Sequence, residues 1–243
     1  MHETLAVLET VFLDAGGVLV FPNWDRISAA LRARGVVVAP NALAAAEPYA
    51  KRQLDDTLTV QSTNDRERGW LYFNLVLERA GVTPNDATAA ALAELHTYHQ
   101  ASNLWEHMPG DVLPALRDLK SLGLQLVIVS NANGTVEAVA KRLGLMECVG
   151  CVLDSFVEKV EKPNPAFFEI ALRRVGARRE TTVHLGDMFA VDVVGARAAG
   201  IRPVLLDAAD LYQDQDCTRV QSLSEFVQRV KRGELGTPGQ SIG

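Results

Sequence analysis

Asp14 follows the apolar run VFL and opens into the small-residue turn AGGV, and Ser130 closes the run LQLVIVS. Lys162 sits in VEKPNPAFF, just ahead of a helical pattern, while Asp187 closes TVHLGD and Asp192 follows five residues later. These are reactive types. Carboxylates ligate hard cations or attack electrophiles, a lysine neutralises developing negative charge, and a hydroxyl donates to an anionic oxygen. Singly, each has a plain explanation: a strand-end aspartate or serine caps or turns the chain, and a lysine is solvated. Together, and in this order at the ends of apolar runs, they fall where open parallel α/β sheets bind ligands.

Such a placement needs strands and helices in alternation, and the chain supplies them. From Leu124 onward, LQLVIVS, CVLDS, TVHLGD and RPVLL read as strands with nearly continuous apolar character. Between and after them, GTVEAVAKRLG, NPAFFEIALRRVG, AVDVVGARAAG and SLSEFVQRVKRG show helical spacing, each closing on a glycine that suits a helix stop. This alternation predicts an α/β fold, with a Rossmann-like parallel sheet covered by helices on both faces. Between Phe21 and His107 the pattern is helical throughout, with Asn41, Asn64 and Asn85 as expected N-caps and Gly35 and Gly81 as expected stops. The expected division is therefore a core of residues 1–20 and 108–232, an all-α insert over 21–107, and a disordered tail over 233–243. FPN and MPG are the expected linkers and hinges.

Composition narrows the function. The net charge of −6 argues against non-specific binding to nucleic acid or an anionic membrane surface, which needs basic patches. No stretch approaches the roughly 18 apolar residues of a membrane span. MHETLAVLETVF lacks a basic segment ahead of its apolar residues, so no secretory signal is expected there. Cys148, Cys151 and Cys217 cannot all pair, and no second ligand pair accompanies the C-x-x-C of Cys148 and Cys151, so a reducing cytoplasm is expected. His184 interrupts an apolar strand and is expected to be buried; the aromatics Trp24, Trp70, Tyr72 and Phe73 read as packing within the insert.

The ordered set resembles the haloacid dehalogenase superfamily, whose motifs are an apolar strand with D-x-D-G-[TV], a strand ending in Ser or Thr, a lysine, and G-D-x-x-x-x-D. The similarity covers roughly residues 10 to 230, and GDMFAVDVVGARAAG carries it most specifically. The resemblance implies that the insert is a cap domain and that Asp14 attacks phosphorus to form an aspartyl-phosphate. Ser130 and Asn131 would contact the phosphoryl oxygens, and Lys162 would hold charge beside the nucleophile. Asp14, the backbone carbonyl of Gly16, Asp187 and Asp192 would hold Mg²⁺, with Asp192 ligating or orienting. The implied partner is a small phosphorylated or phosphonate substrate.

One position departs from the pattern. Gly16 stands where the phosphatases of the superfamily carry a second aspartate that protonates the leaving alcohol and later activates water. General acid–base assistance is worth about 10²–10⁴-fold, or roughly 3–5 kcal/mol of barrier. Three readings follow: a phosphatase in which another group, such as Asp25, Glu67, His107 or the substrate, supplies the proton; a carbon–phosphorus hydrolase using Lys51 as a Schiff-base lysine; and a non-catalytic phosphate- and metal-binding relative. The G-D pattern at Asp187 counts against dehalogenation, and Gly16 against a sugar-phosphate mutase.

Overall fold

The computed structural model describes residues 7–55 and 65–239, apart from the side chains of 65–68 and 70. The chain divides into two compact units, one of Met1–Val20 with Met108–Gly243, the other of Phe21–His107.

The first unit is built on a sheet of strands Thr10–Leu13 (β2), Gln125–Ser130 (β5), Cys151–Asp154 (β6), Thr182–Gly186 (β7), Arg202–Leu206 (β8) and Arg219–Val220 (β9). Their order is β6-β5-β2-β7-β8-β9, and every pairing is parallel. β2 is buried at all its residues, as an inner strand covered on both faces must be. Leu13 lies beside Ile128 of β5 on one side and Leu185 of β7 on the other, so three parallel strands release their next residues at one sheet edge.

Helices cover this sheet: Val112–Ser121 (α5), Val136–Arg142 (α6), Ser155–Glu158 (α7), Pro165–Val175 (α8), Val194–Ala198 (α9) and Leu223–Lys231 (α10). In α8 the local signals act together. Asn164 accepts the Ala166 N–H at 3.0 Å as N-cap, Pro165 occupies the first turn, and Gly176 ends the helix at φ 65°. Its buried face sets Phe167 and Phe168 against Phe12, Val127, Ala196 and Ile201, which joins α8, α9 and the sheet into one core. The helix expected over 190–200 begins instead as a wider π-turn, Phe189–Val193, before becoming α9. The tail is also ordered further than expected. Thr237–Pro238 (β10) pairs in parallel with Val7–Leu8 (β1), and Gly239 donates to the Leu8 carbonyl at 2.9 Å, so sheet-type pairing overrides its loop-like composition; residues 240–243 lie outside the description.

The second unit contains Trp24–Arg32 (α1), Pro40–Leu54 (α2), Asp65–Arg79 (α3) and Asp86–Ser102 (α4). Asn85 is an N-cap with a reciprocal Thr88 partner, and Gly35 and Gly81 follow their helices in the left-handed region. Asn41 is not a cap: α2 starts at Pro40, whose fixed φ suits the first turn, and Ala39 takes the capping position. Asn64 lies outside the described residues. Phe21–Pro22 (β3) and Trp105–His107 (β4) form a short antiparallel ribbon, too brief for any sequence period to reveal. Tyr72 packs edge-on to Phe73 and beside Trp105, with ring centroids 4.9 and 5.8 Å away. His99 accepts the Leu104 N–H on Nδ1 at 3.1 Å, and burial pushes its imidazole down to about 4. No described helix is long and apolar enough to cross a membrane.

Candidate active site

Parallel pairing brings together residues far apart in sequence. Asp14 leaves β2, Ser130 ends β5, and Asp187 follows β7. Lys162 enters from the loop before α8 and is fully buried, its Nζ 3.1 Å from Asp14 Oδ1 and 2.8 Å from Asp192 Oδ1. Asp14 also accepts the N–H of Ala15 at 2.7 Å, which fixes its rotamer at the turn. The turn itself closes through bonds from Leu19 and Val20 to the Ala15 carbonyl, both 2.9 Å. Within it Gly17 takes the positive φ of 73°, whereas Gly16 does not, so position 16 can carry a side chain without backbone strain.

Asp192 is bonded through both carboxylate oxygens. Oδ1 accepts from Lys162 Nζ and lies 2.8 Å from His184 Nε2, while Oδ2 accepts from the backbone N–H groups of Asp187 at 3.2 Å and Met188 at 3.0 Å. Both oxygens are thus doubly engaged, which ties Asp192 to Lys162 and to the Asp187 turn. The Asn131 side-chain oxygen accepts the Lys162 N–H at 2.8 Å and its nitrogen donates to the Lys162 carbonyl at 2.9 Å, so this amide splints the lysine's backbone.

Close packing explains two glycines in the GDMFAVDVVGARAAG segment. A Cβ on Gly186 would fall inside the Asp192 carboxylate, and one on Gly195 would lie 2.9 Å from Phe168 Cε2 and from the Pro163 Cα. Gly186 therefore lets Asp192 approach β7, and Gly195 lets α9 press on the residue after Lys162. Gly186→Ala is expected to cost about 1–3 kcal/mol, as overpacking of a tight site does. A lowered denaturation midpoint in urea, together with loss of any phosphatase rate, is the outcome to look for.

The electrostatics are unbalanced. Asp14, Asp187 and Asp192 present ligand atoms that all lie within 4.8 Å of one another, and the Lys162 ammonium offsets only part of their charge. Burial pushes the Asp14 carboxyl above the usual carboxylate range; the Lys162 charge opposes this and the Asp192 charge reinforces it. Burial acts on Asp192 too, but there the Lys162 charge and the His184 hydrogen bond prevail and hold it well below that range. Burial likewise disfavours the Lys162 ammonium, yet the charges of Asp14 and Asp192 keep its pKa above the ordinary lysine value. An oxygen-rich, net-negative cluster of this kind fits a hard divalent cation.

Of the groups considered as substitutes for the missing acid, Asp25 is exposed in the first turn of α1 and His107 is exposed at the end of β4. The Glu67 side chain lies outside the described residues. Lys51 is ion-paired at 2.8 Å with buried Glu47, which also accepts the Tyr72 hydroxyl at 2.9 Å. His184 is buried in its strand as expected, and it also reaches Asp192 Oδ1, a contact that its position in the sequence does not reveal.

The chain is similar to known proteins in sequence and in fold. The chain is 32% identical over 142 residues to the ribulose-1,5-bisphosphate 5-phosphatase of Halopiger xanaduensis, covering 58% of this chain and 59% of that one. It is 31% identical over 156 residues to the glyceraldehyde 3-phosphate phosphatase of Methanopyrus kandleri, covering 64% and 66%. The chain thus spans less than two thirds of the length of both relatives. It is 28% identical over 190 residues to the haloacid dehalogenase-like hydrolase domain-containing protein 3 of Homo sapiens, covering 76% and 75%. Among solved structures, the HAD-hydrolase YfnB from Bacillus subtilis bound to magnesium matches with a TM-score of 0.66 at 16% identity, over 91% of this chain and 98% of that one. That likeness speaks to the fold alone. Residues 8–200, which run from β1 through Asp14, Ser130, Lys162, Asp187 and Asp192 to the end of α9, match the family described as haloacid dehalogenase-like hydrolase, and the chain belongs to that family.

Proposed function

We propose that this protein is a Mg²⁺-dependent phosphatase of a small phosphorylated metabolite, working through an aspartyl-phosphate on Asp14. The observation that carries the reading is the Asp14 carboxylate at the sheet edge, 3.1 Å from a fully buried lysine inside a net-negative carboxylate cluster. Relatives named as phosphatases of a sugar bisphosphate and a triose phosphate support the substrate class. Three free cysteines suit a reducing cytoplasm as its compartment.

Asp14 and Asp187, with the Gly16 carbonyl, would hold Mg²⁺, which when bound would neutralise phosphoryl oxygens and the excess carboxylate charge. Asp14 would attack phosphorus as the substrate P–O bond breaks and the alcohol leaves, and water would then cleave the acyl phosphate to release inorganic phosphate and restore the carboxylate. Lys162, fixed by Asp192 from one side and by Asn131 along its backbone, holds positive charge beside the oxygens that carry it in the transition state. Ser130 donates its hydroxyl to one of those oxygens. Phe21–His107 would act as the cap, with residues near FPN and MPG flexing to admit substrate.

Gly16 leaves the leaving-group proton to another donor, so substrates with good leaving groups should be favoured. Incubation with Mg²⁺ and an aryl phosphate tests this, with an alkyl phosphate alongside. Because Gly16 lies outside the left-handed region, Gly16→Asp should be tolerated and should raise the rate on the alkyl phosphate by about 10²-fold or more, the scale of general acid–base help. Inactivity of both the wild type and Gly16→Asp across a broad phosphate panel would instead identify a protein that binds without turnover. The pairing of Lys51 with Glu47 gives the Schiff-base alternative no support.

A further inference from the structure

The catalytic scheme gives no role to His184, a buried polar side chain in contact with Asp192. His184 is fully buried in the middle of β7, its ring edge-on to Phe168 at 4.9 Å between centroids. Nε2 is 2.8 Å from Asp192 Oδ1, and Nδ1 has no hydrogen-bond partner among the described residues. A carboxylate oxygen that already accepts from Lys162 can only accept again, so Nε2 must carry the proton. Nδ1 then presents a bare lone pair to an apolar wall, a placement a core residue chosen for packing alone would avoid.

We infer that His184 is a positioning residue for Lys162, acting through Asp192. Two donors at one oxygen, with two backbone N–H groups at the other, fix the Asp192 carboxylate in position and orientation. Lys162 is thereby held between Asp192 and Asp14 in place of closing wholly onto either acid. The backbone N–H groups alone would leave Oδ1 free to swing toward the ammonium and draw it away from Asp14. The inference rests on the phosphatase reading for its kinetic consequence only; the hydrogen-bond arrangement is measurable without turnover.

The test compares wild type, His184→Gln, whose amide nitrogen can replace the Nε2 donor, and His184→Leu, which fills similar space without one. In ¹⁵N spectra of the full-length protein, wild-type His184 should show the Nε2–H tautomer, and the Lys162 ammonium a resonance protected from solvent exchange. His184→Gln should keep that resonance, whereas His184→Leu should shift or broaden it. With an aryl phosphate, kcat should fall about 10–100-fold in His184→Leu with KM little changed, and recover most of that in His184→Gln. A packing role predicts the reverse order, because leucine suits an apolar wall better than an amide does. An Nδ1–H tautomer in the wild type, a wild-type Lys162 resonance in His184→Leu, or equal damage from both variants would overturn the inference. A wild type inactive on every phosphate would remove the catalytic reading and leave the two spectroscopic results to decide this one.

Discussion

Asp14→Asn is expected, on the proposed function, to yield a folded protein whose phosphatase rate is at least about 10³-fold below wild type, because the proposed attacking oxygen becomes an amide. The thermal consequence should run the other way. Asp14 is buried beside Asp192 and within ligand distance of Asp187, and its carboxyl is already pushed toward the protonated form. Removing one negative charge from this cluster should leave the melting temperature in Mg²⁺-free buffer unchanged or raised, since Lys162 keeps Asp192 as a partner. The substitution should also abolish any rise in melting temperature on adding Mg²⁺, because a ligand that binds only the folded state stabilises in proportion to its affinity. A differential scan with and without Mg²⁺, run beside the rate assay, separates these effects. Residual turnover near the wild-type level would remove Asp14 as the nucleophile.

Lys162→Met should be the most destabilising single change in the site. The methionine fits the volume of the lysine stem, but it leaves Asp14 and Asp192 facing each other without their shared cation. Breaking a buried ion pair by removing one partner costs about 3–5 kcal/mol, mostly as the penalty of the uncompensated charge. The double variant Asp14→Asn with Lys162→Met should recover part of that loss, since one of the stranded carboxylates is gone. Urea denaturation of both single variants and the double variant measures the coupling. Strict additivity would show that Lys162 and Asp14 do not share their charge as the 3.1 Å separation implies.

The fold was legible to a large extent because its signals are local. Continuous apolar runs such as LVIV report strands buried on both faces, and the glycine after FFEIALRRV reports a helix stop. Where those signals were short or ambiguous, the reading failed. The two-residue pairing of Phe21–Pro22 is below the length at which alternation shows, and Thr237–Pro238 is held by a partner more than two hundred residues away. The π-turn at Phe189–Val193 has the composition of an ordinary helix, and it carries Asp192 back against Gly186 of β7.

For the candidate site, the sequence by itself determined which residues would gather: Asp14, Ser130, Lys162, Asp187 and Asp192 each stand at a strand end or before a helix, and parallel strands share one C-terminal edge. Gly16 is also visible in the sequence, and the family resemblance is what marks it as a departure from the expected second acid. What only the tertiary structure decided is how those residues divide the work. Asp192 turns its oxygens to Lys162, His184 and two backbone N–H groups, Asn131 grips the backbone of Lys162, and Gly186 makes room for the carboxylate. The physical reason is that periodicity records the burial of one element at a time, whereas hydrogen-bond partners are chosen by sheet order. β2 lies between β5 and β7 in space, far from both in the chain, and that adjacency sets who donates to whom.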